Sequence, residues 1–226
     1  MSLHDDGDGA RPHPLAGLPV PWNVRGPEVR SVPDDGECFR LWDKYAMLPN
    51  VRRHSLIVAH IATMLAERAF GRGMPVDVAE VRASALLHDI AKTYSVLHGG
   101  SHAQIGASWT VIETGSRILA QGVMMHVFWP WKLPDDATIC SLPLFVLYAD
   151  KRVRHDVCVS LDERYEDLLV RYGRTAEAKK GILRACRQGK RIEDLFAEHL
   201  DWSPDDIPCP EGIFDQPCVT APGGEA

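Results

Sequence analysis

The segment Ala85-Leu86-Leu87-His88-Asp89-Ile90-Ala91-Lys92 decides how the rest of the chain is read. Three apolar residues lead into an imidazole and a carboxylate, and two more separate these from an ammonium group. An ionised aspartate in such a setting is costly to desolvate unless something pairs with it. Lys92, three residues on, is one partner within helical reach. A divalent cation is another, and it also accounts for the adjacent imidazole. Upstream, Val78, Val81 and Ala85 share a stripe with His88 at helical spacing. That spacing predicts one helix over residues 76–92, capped by Asp77.

Working outward, the same arrangement recurs. His54, Val58, Ile61 and Leu65 are spaced by four, three and four residues. His54 therefore lies on the inward stripe of a helix over residues 51–70, capped by Asn50 and ended by Gly71 and Gly73. His60 points away from that stripe. Downstream, Leu144, Leu147 and Tyr148 surround Asp150, and His126 follows Val123-Met124-Met125. One buried polar outlier is ordinary. Four helices, each with a His or Asp on its inner face, are hard to explain by packing alone. Helical bundles build metal sites by converging such side chains in the core.

The remaining pattern is helical too. A short helix is expected over residues 37–45, and Ser101 caps another over 102–114. Further helices are expected over 117–127 and 142–155, the latter with Pro143 in its first turn. Two or three amphipathic helices fill 162–200. The loop 128–136 holds Trp129-Pro130-Trp131. No strand alternation, internal repeat or Gly-rich phosphate loop is present. The expected fold is all-α: a single-domain helical bundle over residues 36–200, with a flexible arm at 1–35 and an irregular tail at 201–226. His4 and His13 fall in the arm, where ligands are not preorganised.

The 226 residues can bury a core without a metal to hold it together, so a metal here would serve chemistry. The formal charge of −6 argues against a nucleic-acid duplex as partner but allows a small anionic substrate at a local basic patch. Six cysteines, at 38, 140, 158, 186, 209 and 218, show neither paired nor zinc-finger spacing. With no secretory leader and no apolar run long enough for a membrane, they point to a reduced, cytoplasmic protein. No residue pattern indicates an oligomeric state.

The ordered set of His54, the His88-Asp89 doublet and Asp150 resembles the HD-domain superfamily of metal-dependent phosphohydrolases over residues 40–173. The stretch from Ala85 to Lys92 is very close to that family's core motif, of the HDIG type. Arg53-His54-Ser55 and Tyr148-Ala149-Asp150-Lys151-Arg152 are similar to its flanking segments. His102-Ala103-Gln104-Ile105-Gly106-Ala107 resembles a segment of the symmetrical dinucleoside tetraphosphatase branch, although His102 follows Asp89 by only 13 residues, a short loop for that branch. The resemblance implies an HD-type bundle with one or two divalent ions. His54, His88, Asp89 and Asp150 would serve the first. His102 and His126 would serve the second, with Asp89 bridging. The alternatives are a solvated helix-start residue for His102 and a core histidine for His126. Fe, Mn, Co, Ni or Zn suits the imidazole and carboxylate set, and Mg is also compatible.

The implied chemistry is hydrolysis, by activated water, of a phosphate ester or anhydride in a small anionic, nucleotide-type substrate. Asp89 and Lys92 are the expected catalytic residues. Arg53, Lys92, Lys151 and Arg152 are the expected substrate contacts, forming a positive rim. Trp129 and Trp131 would stack on a nucleobase or pack their loop against the core. The competing class is a non-catalytic metal- or nucleotide-binding module with a sensing or regulatory role.

Overall fold

A computed structural model of the chain describes residues 31–207. His4, His13, Cys209 and Cys218 lie outside the described residues, as do most of the expected arm and tail. The first helix, α1 (Asp35–Lys44), starts from a reciprocal cap in which Asp34 and Glu37 accept each other's backbone N–H. Side-chain caps also start α3 (Val78–Leu87, from Asp77), α5 (His102–Thr114, from Ser101) and α6 (Arg117–Met125, from Ser116). Ser160 and Thr175 do the same for α8 (Leu161–Tyr172) and α9 (Ala176–Leu200).

The long second helix, α2 (Pro49–Gly71), has no side-chain cap. Asn50 was expected to supply one, but it lies inside the first turn. Pro49 begins the helix instead, because its missing N–H costs nothing at that position.

The core is built around α7 (Leu142–Lys151), all ten residues of which are buried. A helix apolar on every side belongs at the centre of a fold. Helices α2, α3, α6 and α9 pack around it. Phe145 and Tyr148 meet Phe196 of α9, and the Trp42 indole of α1 donates to the Leu86 carbonyl at 2.9 Å. At Gly122, α6 passes so close to its neighbours that an added Cβ would sit 2.1 Å from Ser84 Oγ and 2.5 Å from Leu142 Cδ2. No helix among the described residues is long and apolar enough to cross a membrane. The architecture is all-α, as the sequence pattern predicts.

Two elements differ from expectation. The single helix expected over 76–92 breaks after Leu87 into a turn, followed by α4 (Lys92–His98). The cause is local. His88 Nδ1 lies 2.7 Å from the Ala85 carbonyl, which an unbroken helix would offer to the Asp89 N–H. The backbone tightens accordingly: Ile90 N–H reaches Leu87 and Lys92 N–H reaches Asp89, each three residues back. The helix expected over 142–155 stops at Lys151, and a two-stranded antiparallel hairpin follows. It consists of β1 (Val153–Arg154) and β2 (Val157–Cys158), with His155 at φ +58° in the turn. Two residues per strand are too few to show alternation in sequence.

Candidate metal centre

Four elements deliver the site. His54 comes from the second turn of α2, His88 and Asp89 from the turn after α3, His126 from the end of α6, and Asp150 from the end of α7. All five residues are buried. His102 joins them from the start of α5. The short helix α4 spans the 13-residue interval from Asp89, so the loop that looked too short still returns His102 to the site.

The histidines are oriented by their outer nitrogens. Nδ1 of His54 lies 2.8 Å from the His155 carbonyl, that of His88 2.7 Å from Ala85, and that of His126 2.6 Å from Val123. A carbonyl only accepts, so each Nδ1 carries a proton and donates it. In the neutral ring, each Nε2 then presents a lone pair inward.

What those lone pairs face is carboxylate. His54 Nε2 is 3.0 Å from Asp150 Oδ1, and His88 Nε2 is 3.8 Å from both Asp150 Oδ1 and Asp89 Oδ2. On the other side, Asp89 Oδ1 is 3.3 Å from His102 Nε2 and 3.7 Å from His126 Nε2, which are 3.1 Å apart. Asp89 thus turns Oδ2 toward His88 and Oδ1 toward His102 and His126. The donor atoms of His54, His88 and Asp150 form one cluster compatible with a metal ion, and those of His88, Asp89 and His126 another. Donors held about 2.0–2.2 Å from a common ion stand roughly 3–3.6 Å from one another.

Charge states fit the same picture. Burial pushes His126 down to about 3 and His102 down to about 4, and it lowers His88 as well. For Asp89, burial favours the neutral acid, but His88, Lys92, His126 and His102 outweigh it and hold the carboxyl well below its usual range. Asp150 is likewise held low against burial, chiefly by Lys151 and His54. Neutral imidazoles and ionised carboxylates are the states in which these groups ligate metals. His88 Nε2 and Asp89 Oδ1 are buried with no hydrogen-bond partner, an expensive condition that a cation removes.

The centre lies in the wall of an open cavity of about 1080 Å³. Lys92 faces it, with Nζ 3.6 Å from Asp89 Oδ1 and 3.4 Å from His102 Nε2. Arg53 stands at the rim, held by Asp156 at 2.9 Å. Lys151 lines the cavity but is buried, paired with Asp150 Oδ2 and donating to the His126 carbonyl at 3.2 Å.

Arg152 corrects the expectation of a substrate contact. It follows Asp150 by two residues, about 200° around a helix, and points the other way. Its guanidinium is buried against Tyr148 and Glu193 and donates to the carbonyls of Val159 and Pro204. Trp129 and Trp131 pack edge to face at 5.0 Å, and neither lines the cavity. Phe128 lines it instead. Sequence reasoning also missed Arg164, Arg171 and Arg184, which α8 and α9 place on the cavity wall. The available signal was the spacing of Arg164, Leu168, Arg171 and Tyr172 on one face of α8.

The HD-domain family matches residues 51–167, more than half of the chain. A tRNA (cytidine(56)-2'-O)-methyltransferase from Thermoplasma volcanium is 34% identical over 83 residues, which are 37% of this chain. The matched stretch covers 22% of that protein, so the chain spans about a fifth of the length of this curated relative. No solved structure matches the chain.

Proposed function

The chain belongs to the HD-domain family, and from that premise we propose that it is a divalent-metal-dependent phosphohydrolase, cleaving a phosphate ester or anhydride of a small nucleotide-type substrate with water. The observation that carries this reading is the convergence of imidazole lone pairs on ionised carboxylates, with His88 Nε2 and Asp89 Oδ1 buried and unsatisfied. Lys92 and Lys151 offset part of the carboxylate charge, and a divalent cation would satisfy the atoms that remain.

His54, His88, Asp89 and Asp150 would hold one ion, and His102 and His126, sharing Asp89, a second. When bound, a divalent ion supplies Lewis acidity and a water nucleophile at neutral pH. The chain's own residues do the rest. The carbonyls of His155, Ala85 and Val123 fix the rings. Lys151 occupies Asp150 Oδ2 and leaves Oδ1 directed at the centre. Lys92 places an ammonium group beside Asp89, where it offsets charge on the phosphoryl oxygens. Arg53, half-buried at the rim and paired with Asp156, adds positive charge where an anionic substrate enters. The methyl transfer in the relative's name belongs to a protein of which this chain covers a minor part, and nothing in the cavity calls for it.

The test combines two measurements. Protein purified without chelator is analysed for bound metal, then assayed on nucleotides and phosphate esters with Mn, Fe, Co, Ni and Mg. Release of phosphate or of a nucleotide fragment with at least one ion is expected. A Lys92→Gln variant should lose about 10- to 100-fold in kcat with unchanged metal content. Stoichiometric metal with no turnover in any combination would overturn the hydrolase and leave a binding module.

A further inference from the structure

The cavity wall formed by α8 and α9 is cationic in a way the metal centre does not require. Arg164 and Arg171 both turn to one carboxylate, Asp167. Arg171 engages it through Nε at 2.9 Å and also through Nη2, whereas Arg164 reaches it with a single long bond of 3.4 Å. One negative charge thus serves two guanidinium groups. The Arg164 side chain is only 11% exposed, and its Nε is buried without a partner. A buried guanidinium with idle donors is costly unless an anion completes it. Arg184, from α9, carries no carboxylate partner among the described residues and lies over the Phe128 ring, 5.1 Å from its centroid.

Two of these cations share α8, and the third comes from α9. Arg164 lines the same cavity as Asp150 and other metal-facing residues. Arg171 is seven residues farther along the same helix, about 10 Å at 1.5 Å per residue. All three arginines line one cavity with the metal ligands, and its volume of about 1080 Å³ exceeds what a single phosphate group needs.

We propose that Arg164, Arg171 and Arg184 form a second anion-binding wall facing the metal centre, and that the substrate is accordingly an elongated phosphate compound carrying two or more phosphoryl groups. The word substrate rests on the hydrolase reading above, whereas the wall itself does not. Arg164 binds the phosphoryl group nearest the metal ligands. Arg171 and Arg184 bind the groups farther out.

Binding can be read without turnover. Metal-loaded protein, with Mn in excess, is titrated calorimetrically with methylphosphonate and with β,γ-methylene-ATP. The first carries one phosphoryl group and the second carries three; its β–γ bridge resists hydrolysis, and chromatography of the recovered ligand checks that its α–β anhydride and ester are intact. Wild-type protein should bind the longer ligand at least tenfold more tightly. Arg171→Gln and Arg184→Gln should each weaken that ligand by about tenfold and leave methylphosphonate within about twofold. Arg164→Gln should weaken both, and Arg164→Lys, which keeps the charge but not the fork, should restore neither fully. Thermal melts followed by circular dichroism confirm that each variant is folded. Equal affinity for the two ligands, or unaltered binding of β,γ-methylene-ATP by the Arg171 and Arg184 variants, would overturn the wall even if the enzyme hydrolyses phosphate esters. The predicted affinities in a protein without turnover would sustain the wall and remove the hydrolase.

Discussion

His54 Nε2 stands 3.0 Å from Asp150 Oδ1, although the two residues are 96 positions apart and the same imidazole already donates through Nδ1 to the His155 carbonyl. Two electron-rich atoms are thereby held face to face in a buried site, and only a proton or a metal ion between them makes the contact favourable. The pair ties the second turn of α2 to the last turn of α7.

Replacing Asp150 by Asn separates the two jobs of that carboxylate. Metal affinity should fall by at least about a hundredfold, because an anionic ligand becomes neutral. Stability should fall too, by about 3–5 kcal/mol, because the buried Lys151 ammonium loses its partner. Adding Lys151→Met to Asp150→Asn should recover much of the stability and none of the metal. Elemental analysis and urea unfolding read the two effects independently. Full metal content in the single variant would remove Asp150 from the ligand set.

His102 and His126 test the second ion. The His102→Ala and His126→Ala variants should each bind one ion per chain where the parent binds two, with helicity retained in circular dichroism. Their Nε2 atoms flank Asp89 Oδ1, while His54, His88 and Asp150 form a donor cluster that includes neither, so the first site should survive their loss. An unchanged stoichiometry of two in both variants contradicts the dinuclear arrangement.

Acid should destabilise the metal-free protein well before its carboxylates titrate. His126 is held at about 3 and His102 at about 4, against an ordinary value near 6.5 in the unfolded chain. Between these limits the unfolded state binds protons that the folded state refuses. Stability is therefore full above about pH 6.5 and declines as pH falls toward 4 and then 3. Melting temperatures of chelator-treated protein, measured from pH 7.5 to 4.5, should drop by several degrees, and the drop should shrink in the His126→Ala variant. A flat profile would show that these rings are not held neutral.

Gly122→Ala probes how α6 delivers His126. The added methyl would collide with Ser84 and Leu142, whose helices lead to the His88-Asp89 turn and to Asp150. Destabilisation of about 1–3 kcal/mol is expected, with weaker binding of the second ion as α6 is pushed outward. A variant with wild-type stability and metal content would mean that the three helices yield freely.

The inward stripes of α2 and α7 were readable because an α-helix repeats its apolar positions with a fixed period, which places His54 and Asp150 among core residues. The turn that holds His88 and Asp89 was not readable. It is closed by the His88 side chain taking a backbone carbonyl, and the apolar spacing runs on undisturbed through the tighter turn. Arg152 looked like a neighbour of Asp150 in sequence, yet two residues along a helix lead to the opposite side. Arg164 and Arg171 were passed over, because periodicity identifies the polar face of α8 without saying what that face overlooks.

The turn at residue 155 contributes a main-chain oxygen and a left-handed backbone, and His54 makes no use of the imidazole there. Glycine or asparagine would serve the same purpose at that position. Among relatives of this chain, the alignment column for this essential support can therefore drift in identity while its geometry stays constant. A search for function guided by invariant side chains alone would pass over the peptide group that aims the first ligand.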